Sequence, residues 1–291
     1  MKMILNSILL CLLSSVSLAL PKNISHGSKP IPTSTAKEII FIHGMFMTPE
    51  SWQPWLEFFA REYQVSAPAW PYHDQPASVL KTNPHPQLGQ LTLGMILDHY
   101  RALLLPKKNN PPILIGHSMG GLIAQVLLSE GLGSAAIAID SAPPQKVWFL
   151  NGSFLKANWP VLNLFANPNR PIHLSQEDFN YAFASSQTAS AQNSAYDNFY
   201  VPESRRVGRG PLTKAASIRR TNARGPLLII AGEADHIVPA KLNFANFEFY
   251  RLETSNQNYT EFQLFEGRDH WIIGGSGWEQ VAEAVRTWLQ N

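Results

Sequence analysis

The stretch Pro111 to Leu128, PPILIGHSMGGLIAQVLL, constrains this chain more than any other. A short apolar run, Pro112 to Ile115, meets Gly116-His117-Ser118-Met119-Gly120-Gly121 and then an apolar-periodic segment. That is the order strand, tight turn, helix, and the turn holds a complete G-x-S-x-G. Such a turn keeps its serine in a strained backbone conformation, so that the hydroxyl stands clear of the sheet. Only residues without a bulky Cβ fit beside it, and Gly116 and Gly120 supply the room. The helix begins at the serine, so its free N–H groups and the positive end of its dipole lie where an oxyanion would form. A phosphate-binding loop of similar outline would need G-x-x-x-x-G-K-[ST], and this turn has no lysine. The stretch reads as the seat of an acyl-transfer nucleophile.

The 291 residues have ample length for one large domain, or for a core with an inserted cap. A formal net charge of +2 is too small a bias to argue for nucleic acid, which we set aside, or for an anionic membrane surface. Residues 1–19 read as a signal peptide: Lys2, an apolar run from Ile4 to Leu13, and Ser17-Leu18-Ala19 as a small-x-small cleavage site. A secreted or periplasmic location is the expectation. The alternative is an uncleaved N-terminal membrane anchor, since Ile4 to Leu20 is just long enough to span. Cys11 is the only cysteine and would leave with the leader, so neither a disulfide nor a thiolate site is expected.

Residues 20–37, rich in Pro, Ser and Thr, read as an extended lead-in in which no domain starts. Glu38 to Ile42 is a buried-type strand running into His43-Gly44-Met45-Phe46. Thr48-Pro49 then reads as an N-cap with proline at the first helical position, and Trp52, Trp55, Leu56 and Phe59 mark one buried face. Tyr63 to Ala67 is a second short strand, and after a long proline-bearing loop Leu88 to Leu105 reads as a helix weakened by Gly89 and Gly94. Ala135 to Asp140, Leu227 to Ala231 and Glu261 to Phe265 complete the strands. Ser276 and Glu279 have the spacing of a capping box for a terminal helix that buries Trp278, Val281, Val285 and Trp288.

Alternating strand and helix predict an α/β fold, a mostly parallel sheet with helices on both faces and a site at the strand C-terminal ends. The alternation stops over residues 141–225, which read as a helical cap inserted between core segments 38–140 and 226–291. The cap aromatics Trp148, Phe149, Trp159, Phe165, Tyr181, Tyr196 and Phe199 would either line an acyl pocket or, for most of them, form the cap's own small core. The cationic run Arg205, Arg206, Arg209, Lys214, Arg219, Arg220, Arg224 contains no acid, and a solvated face is expected.

A serine hydroxyl needs a neighbouring base, itself oriented by an acid. Ser118, Asp235 and His270 each follow an apolar strand, so a parallel sheet gathers them at one edge, in the order Ser, Asp, His. With His43-Gly44, GHSMGG at 116–121, GEADHIVP at 232–239 and GRDHW at 267–271, the chain resembles the α/β-hydrolase fold serine hydrolases of the lipase and esterase type. The resemblance implies Ser118 as nucleophile, His270 as general base then acid, and Asp235 as the acid that fixes the imidazole tautomer. It also implies an oxyanion hole made by the backbone N–H groups of Met119 and Met45, with Phe46 as the alternative to Met45. The lead-in is too short and polar for the two extra N-terminal antiparallel strands many members have, so a sheet of about six strands is expected.

Asp140 also ends a strand and is the rival acid. His43, His117 and His236 read as structural, Asp269 as a loop hydrogen-bond partner, and the histidines at 26, 73, 85, 99 and 173 show no metal-ligand spacing. No cofactor or metal is expected. The function expected is hydrolysis of carboxylic esters, small-molecule or lipid, with transient contact to a lipid surface as a possibility. A thioesterase, an amidase, an acyltransferase or a low-turnover ligand-binding homologue would use the same residues.

Overall fold

The computed structural model describes residues 19–27, 38–220, 222–252 and 258–291. The expected leader, all but Ala19, lies outside the described residues, as does most of the lead-in. Seven strands form one sheet: β1 (Asn23–His26), β2 (Glu38–Ile42), β3 (Gln64–Ser66), β4 (Ile113–His117), β5 (Ala135–Ile139), β6 (Leu227–Gly232) and β7 (Thr260–Phe265). Their order is β1-β7-β6-β5-β4-β2-β3. Every pairing is parallel except that of β1, which runs antiparallel to β7 with Asn23 opposite Gln263. Strands β4, β5 and β6 are buried along their whole length, which is why they read as unbroken apolar runs.

The seventh strand corrects the expected count, because β1 comes from the lead-in. Its four residues, NISH, are exposed or half-exposed and carry no apolar alternation. The backbone ladder holds β1 at the sheet edge, aided by Leu264 N donating to Lys22 O and by the exposed Lys22–Glu266 ion pair. A hydrophobic pattern could not announce it.

On one side of the sheet, Thr48 caps a 3₁₀ turn (Pro49–Trp52) that continues into α1 (Gln53–Phe59), and Trp52, Trp55 and Phe59 pack on Phe41. The long proline loop contains an unexpected short helix, α2 (Ala77–Thr82). The helix expected from Leu88 divides into a 3₁₀ turn (Leu88–Gln90) and α3 (Leu93–Leu104), because the Thr92 hydroxyl accepts from Met95 N and starts the helix afresh. Strand β4 runs through the turn at Ser118 into α4 (Met119–Ser129), buried throughout.

Between β5 and β6 lie α5 (Gly152–Leu162), α6 (Gln176–Phe183), α7 (Ala189–Phe199) and α8 (Arg205–Gly208). Ser175 caps α6 as its spacing to Asp178 implies, its hydroxyl accepting from Asp178 N at 3.1 Å. The cationic run is not simply a solvated face. Arg205, only 8% exposed, donates to the carbonyls of Pro160, Asn167 and Arg170, and Arg209 donates to those of Val161 and Asn163. These carbonyls belong to the last turn of α5 and the loop beyond it; those of Asn163 and Asn167 also accept from Ala166 N and Arg170 N, whereas those of Pro160, Val161 and Arg170 accept from no backbone N–H among the described residues. The guanidinium groups satisfy them and complement the helix dipole, so no acid is required.

Two further helices, α9 (Ala240–Tyr250) and α10 (Trp278–Gln290), complete the layers. The expected capping box at the start of α10 does not form. Gly277 occupies the cap position at φ 76°, while Ser276 N donates to Gln187 Oε1 and Ser276 O accepts from Arg268. Its backbone is used to fasten loops rather than to start a helix.

Candidate active site

Ser118 occupies the turn between β4 and α4 at φ 56° and ψ −120°, the strained conformation its flanking glycines permit. A Cβ on Gly116 would fall 2.1 Å from Gly120 O, and one on Gly120 would fall 2.1 Å from Ile42 O. The elbow is therefore packed backbone on backbone, and any side chain there would open it.

His270 follows β7 on a loop tied to the loop after β6. Glu233 N donates to Phe265 O, and Ala234 N donates to Arg268 O. The fully buried imidazole of His270 donates from Nδ1 to Asp235 Oδ2 at 2.6 Å. The other oxygen of Asp235 accepts from Ile237 N at 2.7 Å and Val238 N at 2.9 Å. These two N–H groups hold the carboxylate in one orientation, and the carboxylate holds the ring in the tautomer that leaves Nε2 as a lone pair. Nε2 has no hydrogen-bond partner among the described residues.

Asp140, the rival acid, is also buried and stands at φ 43°, yet its carboxylate does not meet His270 Nδ1. Its Oδ1 accepts from Gly232 N at 2.6 Å, and its Oδ2 is unpartnered among the described residues. Burial pushes this carboxyl well above the usual carboxylate range, and the adjacent Asp235 charge adds to the rise. His117 donates from Nε2 to the carbonyl of His270 at 2.8 Å, and burial, with His270 close by, holds its pKa well below that of a free histidine. Ligand-type atoms of His117, Asp140 and His270 lie within 4.8 Å of one another. His117 Nε2 fastens the His270 carbonyl and Asp140 Oδ1 fastens Gly232 N, so these two side chains brace the loops around His270.

Asp269 behaves as a loop partner. Its Oδ2 accepts from Ser186 N and Ser186 Oγ, and its Oδ1 accepts from Trp271 N. Together with Trp271 N donating to Phe183 O, this bolts the His270 loop to the segment following α6. His43 stacks on Trp70 and accepts from its backbone N–H, a structural role, and His236 likewise donates from Nδ1 to Tyr181 O.

Met45, Phe46 and Met119 line the same cavity as Ser118. The N–H groups of Met45, Phe46 and Met119 all have no acceptor within the fold among the described residues, and Phe46, at φ 63°, has its carbonyl bound by Val201 N. The cavity, about 190 Å³, is mostly apolar, and the rest of its wall includes Val147, Phe149, Phe154, Val161, Leu174 and Val238.

The cap aromatics divide three ways. Trp148 and Phe149 line the cavity, Tyr196 joins a ring cluster with Phe179 and Tyr200, and Phe199 packs on Trp271. Tyr181 stacks on His236 at the surface, while Trp159 and Phe165 are 59% and 99% exposed and belong to neither a cap core nor the pocket. Sequence reasoning missed one buried pair beside the site. His73 Nε2 lies 3.2 Å from Glu203 Oε2, joining the loop after β3 to the segment that meets the oxyanion loop at Phe46. Residues so far apart in the chain offer no local signal.

Comparison with known proteins follows this geometry. A model of the alpha/beta hydrolase family matches residues 39–284. Comparison with curated protein sequences gives no match. Among solved structures, tomato methylketone synthase I in complex with 2-tridecanone is similar at a TM-score of 0.63 and 14% identity, covering 88% of this chain and 98% of that one. The monoacylglycerol lipase of Paleococcus ferrophilus is similar at 0.62 and 18% identity, covering 92% and 97%. A thermophilic esterase from Thermogutta terrifontis is similar at 0.58 and 15% identity, covering 92% and 93%. At these identities the likeness is one of fold.

Proposed function

The chain belongs to the α/β-hydrolase family, and from that premise we propose that it hydrolyses carboxylic esters of apolar acyl groups through an acyl-enzyme on Ser118. The observation that carries this reading is the state of His270: Nδ1 held by Asp235 at 2.6 Å, Nε2 left without a partner among the described residues, on the same strand edge as a serine at a strained elbow.

His270 Nε2 takes the proton of Ser118 Oγ as the oxygen attacks the ester carbonyl. The N–H groups of Met45 and Met119 hold the tetrahedral oxyanion. As the carbon–oxygen bond to the alcohol breaks, the imidazolium returns its proton to the departing oxygen. Water then attacks the acyl-enzyme by the same route, and the acid leaves as Ser118 recovers its proton. Asp235 stays ionised and stabilises the imidazolium. The apolar cavity supports an apolar acyl group on the substrate, and the lipases and esterases among proteins of the same fold agree with that class.

The test is hydrolysis of p-nitrophenyl esters from acetyl to palmitoyl by the protein beside Ser118→Ala and His270→Ala. Loss of turnover by several orders of magnitude in both variants is expected. If no ester, thioester or amide is turned over and a fluorophosphonate labels Ser118, the nucleophile is live with another acyl substrate. If it does not label, the reading gives way to a ligand-binding protein.

A further inference from the structure

The sequence from Ser141 to Gln176 contains no aspartate or glutamate but carries Lys146, Lys156 and Arg170, all exposed. Within the same segment six large apolar side chains face solvent: Trp148 at 67%, Leu150 at 66%, Leu155 at 45%, Trp159 at 59%, Leu164 at 82% and Phe165 at 99%. They are not scattered. Helix α5 turns Phe154, Ala157, Asn158 and Val161 toward the cavity, and Leu155 and Trp159, one turn apart, lie outside that lining set. A helix apolar on both sides is ordinarily buried on both. Trp148 and Leu150, just before it, line the cavity and are exposed at once, so solvent-facing apolar surface continues at these two residues into the wall of the cavity that Ser118 also lines.

We propose that this face docks on an anionic phospholipid bilayer and that an apolar ester passes from the bilayer into the cavity along it; only this second step rests on the ester reading above. Exposed tryptophan and phenylalanine suit the interfacial zone of a bilayer, and the cations Lys146, Lys156 and Arg170 suit its negative surface, although the exposed Glu177 and Asp178 border the same surface hollow as Lys156. The attraction is local, since the net charge of the chain is small. A second copy of this chain fits less well, because a two-fold contact would set the same cations against each other. A protein partner seated there would also cover the route to Ser118, where a bilayer would feed it.

The test uses the chain from Leu20 onward, which contains all seven strands, sedimented with vesicles of phosphatidylcholine alone or mixed with phosphatidylglycerol. Two double variants accompany it, Trp159→Ser with Phe165→Ser and Lys156→Glu with Arg170→Glu; none of these residues lines the cavity. Binding to the anionic vesicles is expected, weakened about tenfold or more by either double variant, by omitting phosphatidylglycerol and by raised salt, with hydrolysis of a short soluble ester unchanged. Failure of the wild type to bind, or binding of the variants as tightly as the wild type, would overturn the proposal. So would self-association that the variants abolish without any vesicle binding, which would make the face a protein interface. Vesicle binding with no turnover of any ester would leave the docking face standing and remove the ester reading instead.

Discussion

Gly44 and Ser118 stand so close that a Cβ on the glycine would lie 2.9 Å from the serine Cβ and 3.1 Å from the carbonyl oxygen of His117. The loop after β2 can therefore pass the nucleophile only as bare backbone. That passage sets Met45 in the wall of the cavity that Ser118 also lines, where the proposed mechanism uses its N–H. We expect Gly44→Ala to fold, as judged by circular dichroism, yet to lower kcat about 10²-fold with a smaller change in KM, because the displaced donor acts on the oxyanion and not on the bound ester.

Two buried aspartates lie beside His270, and isosteric amides separate their roles. Asp235→Asn is expected to lower kcat about 10⁴-fold, since the amide would favour the wrong imidazole tautomer. Asp140→Asn keeps an oxygen for Gly232 N and is expected to stay within about tenfold of wild type. The sign of its stability effect also follows. Burial, then the charge of Asp235, raises the Asp140 carboxyl in the folded state, so the wild type loses stability as pH climbs from the unfolded value of about 3.9 toward the folded one. Asp140→Asn escapes that loss. Thermal unfolding compared at pH 4 and pH 8 should show the variant gaining on wild type at the higher pH.

The His73–Glu203 pair is expected to stabilise the fold in the opposite sense. His73 Nδ1 faces the carbonyl of Pro71 and Nε2 faces Glu203, so both nitrogens meet acceptors and favour the imidazolium. Burial lowers the pKa of His73, but Glu203 outweighs it, and the net shift is upward, while His43, whose ring lies 5.5 Å away, is pushed down. A raised folded pKa gives stability that is complete below the unfolded value of about 6.5 and is lost as pH rises through the folded one. Glu203→Gln should cost about 3 kcal/mol at pH 6 by leaving a buried cation unpaired. Denaturant unfolding at pH 9 should show a smaller difference.

Acyl length should respond to Gly208, the last residue of α8. A Cβ there would meet Val161 Cγ1 at 2.7 Å and Met45 Cε at 3.0 Å, and both of those residues line the cavity. Gly208→Ala should press them into the cavity and shift the optimum along a p-nitrophenyl ester series toward shorter chains. For the longest esters kcat/KM should fall about tenfold. An unchanged profile would place the acyl chain elsewhere.

The elbow, the strand–helix alternation and the cap at Thr48 were legible in the chain because each depends on neighbours a few residues away. So was the order Ser118, Asp235, His270, since a parallel sheet delivers the ends of its strands to one edge whatever the loops do. Other features depend on partners far along the chain. β1 carries no pattern of its own and exists because β7 offers an open edge. The arginines at 205 and 209 look like surface charge until the end of α5 is laid against them, and the capping box at Ser276 fails because Gln187 and Arg268 claim its backbone. Both Asp140 and Asp235 follow apolar strands, and the sequence favoured Asp235 only through the resemblance of its loop, GEADHIVP. Only the packed structure decides, by placing one carboxylate against His270 and the other against a backbone N–H. Local order was written in periodicity and turn chemistry; the pairing of buried charges was settled by tertiary packing, where a few ångströms determine which partner a charge can reach.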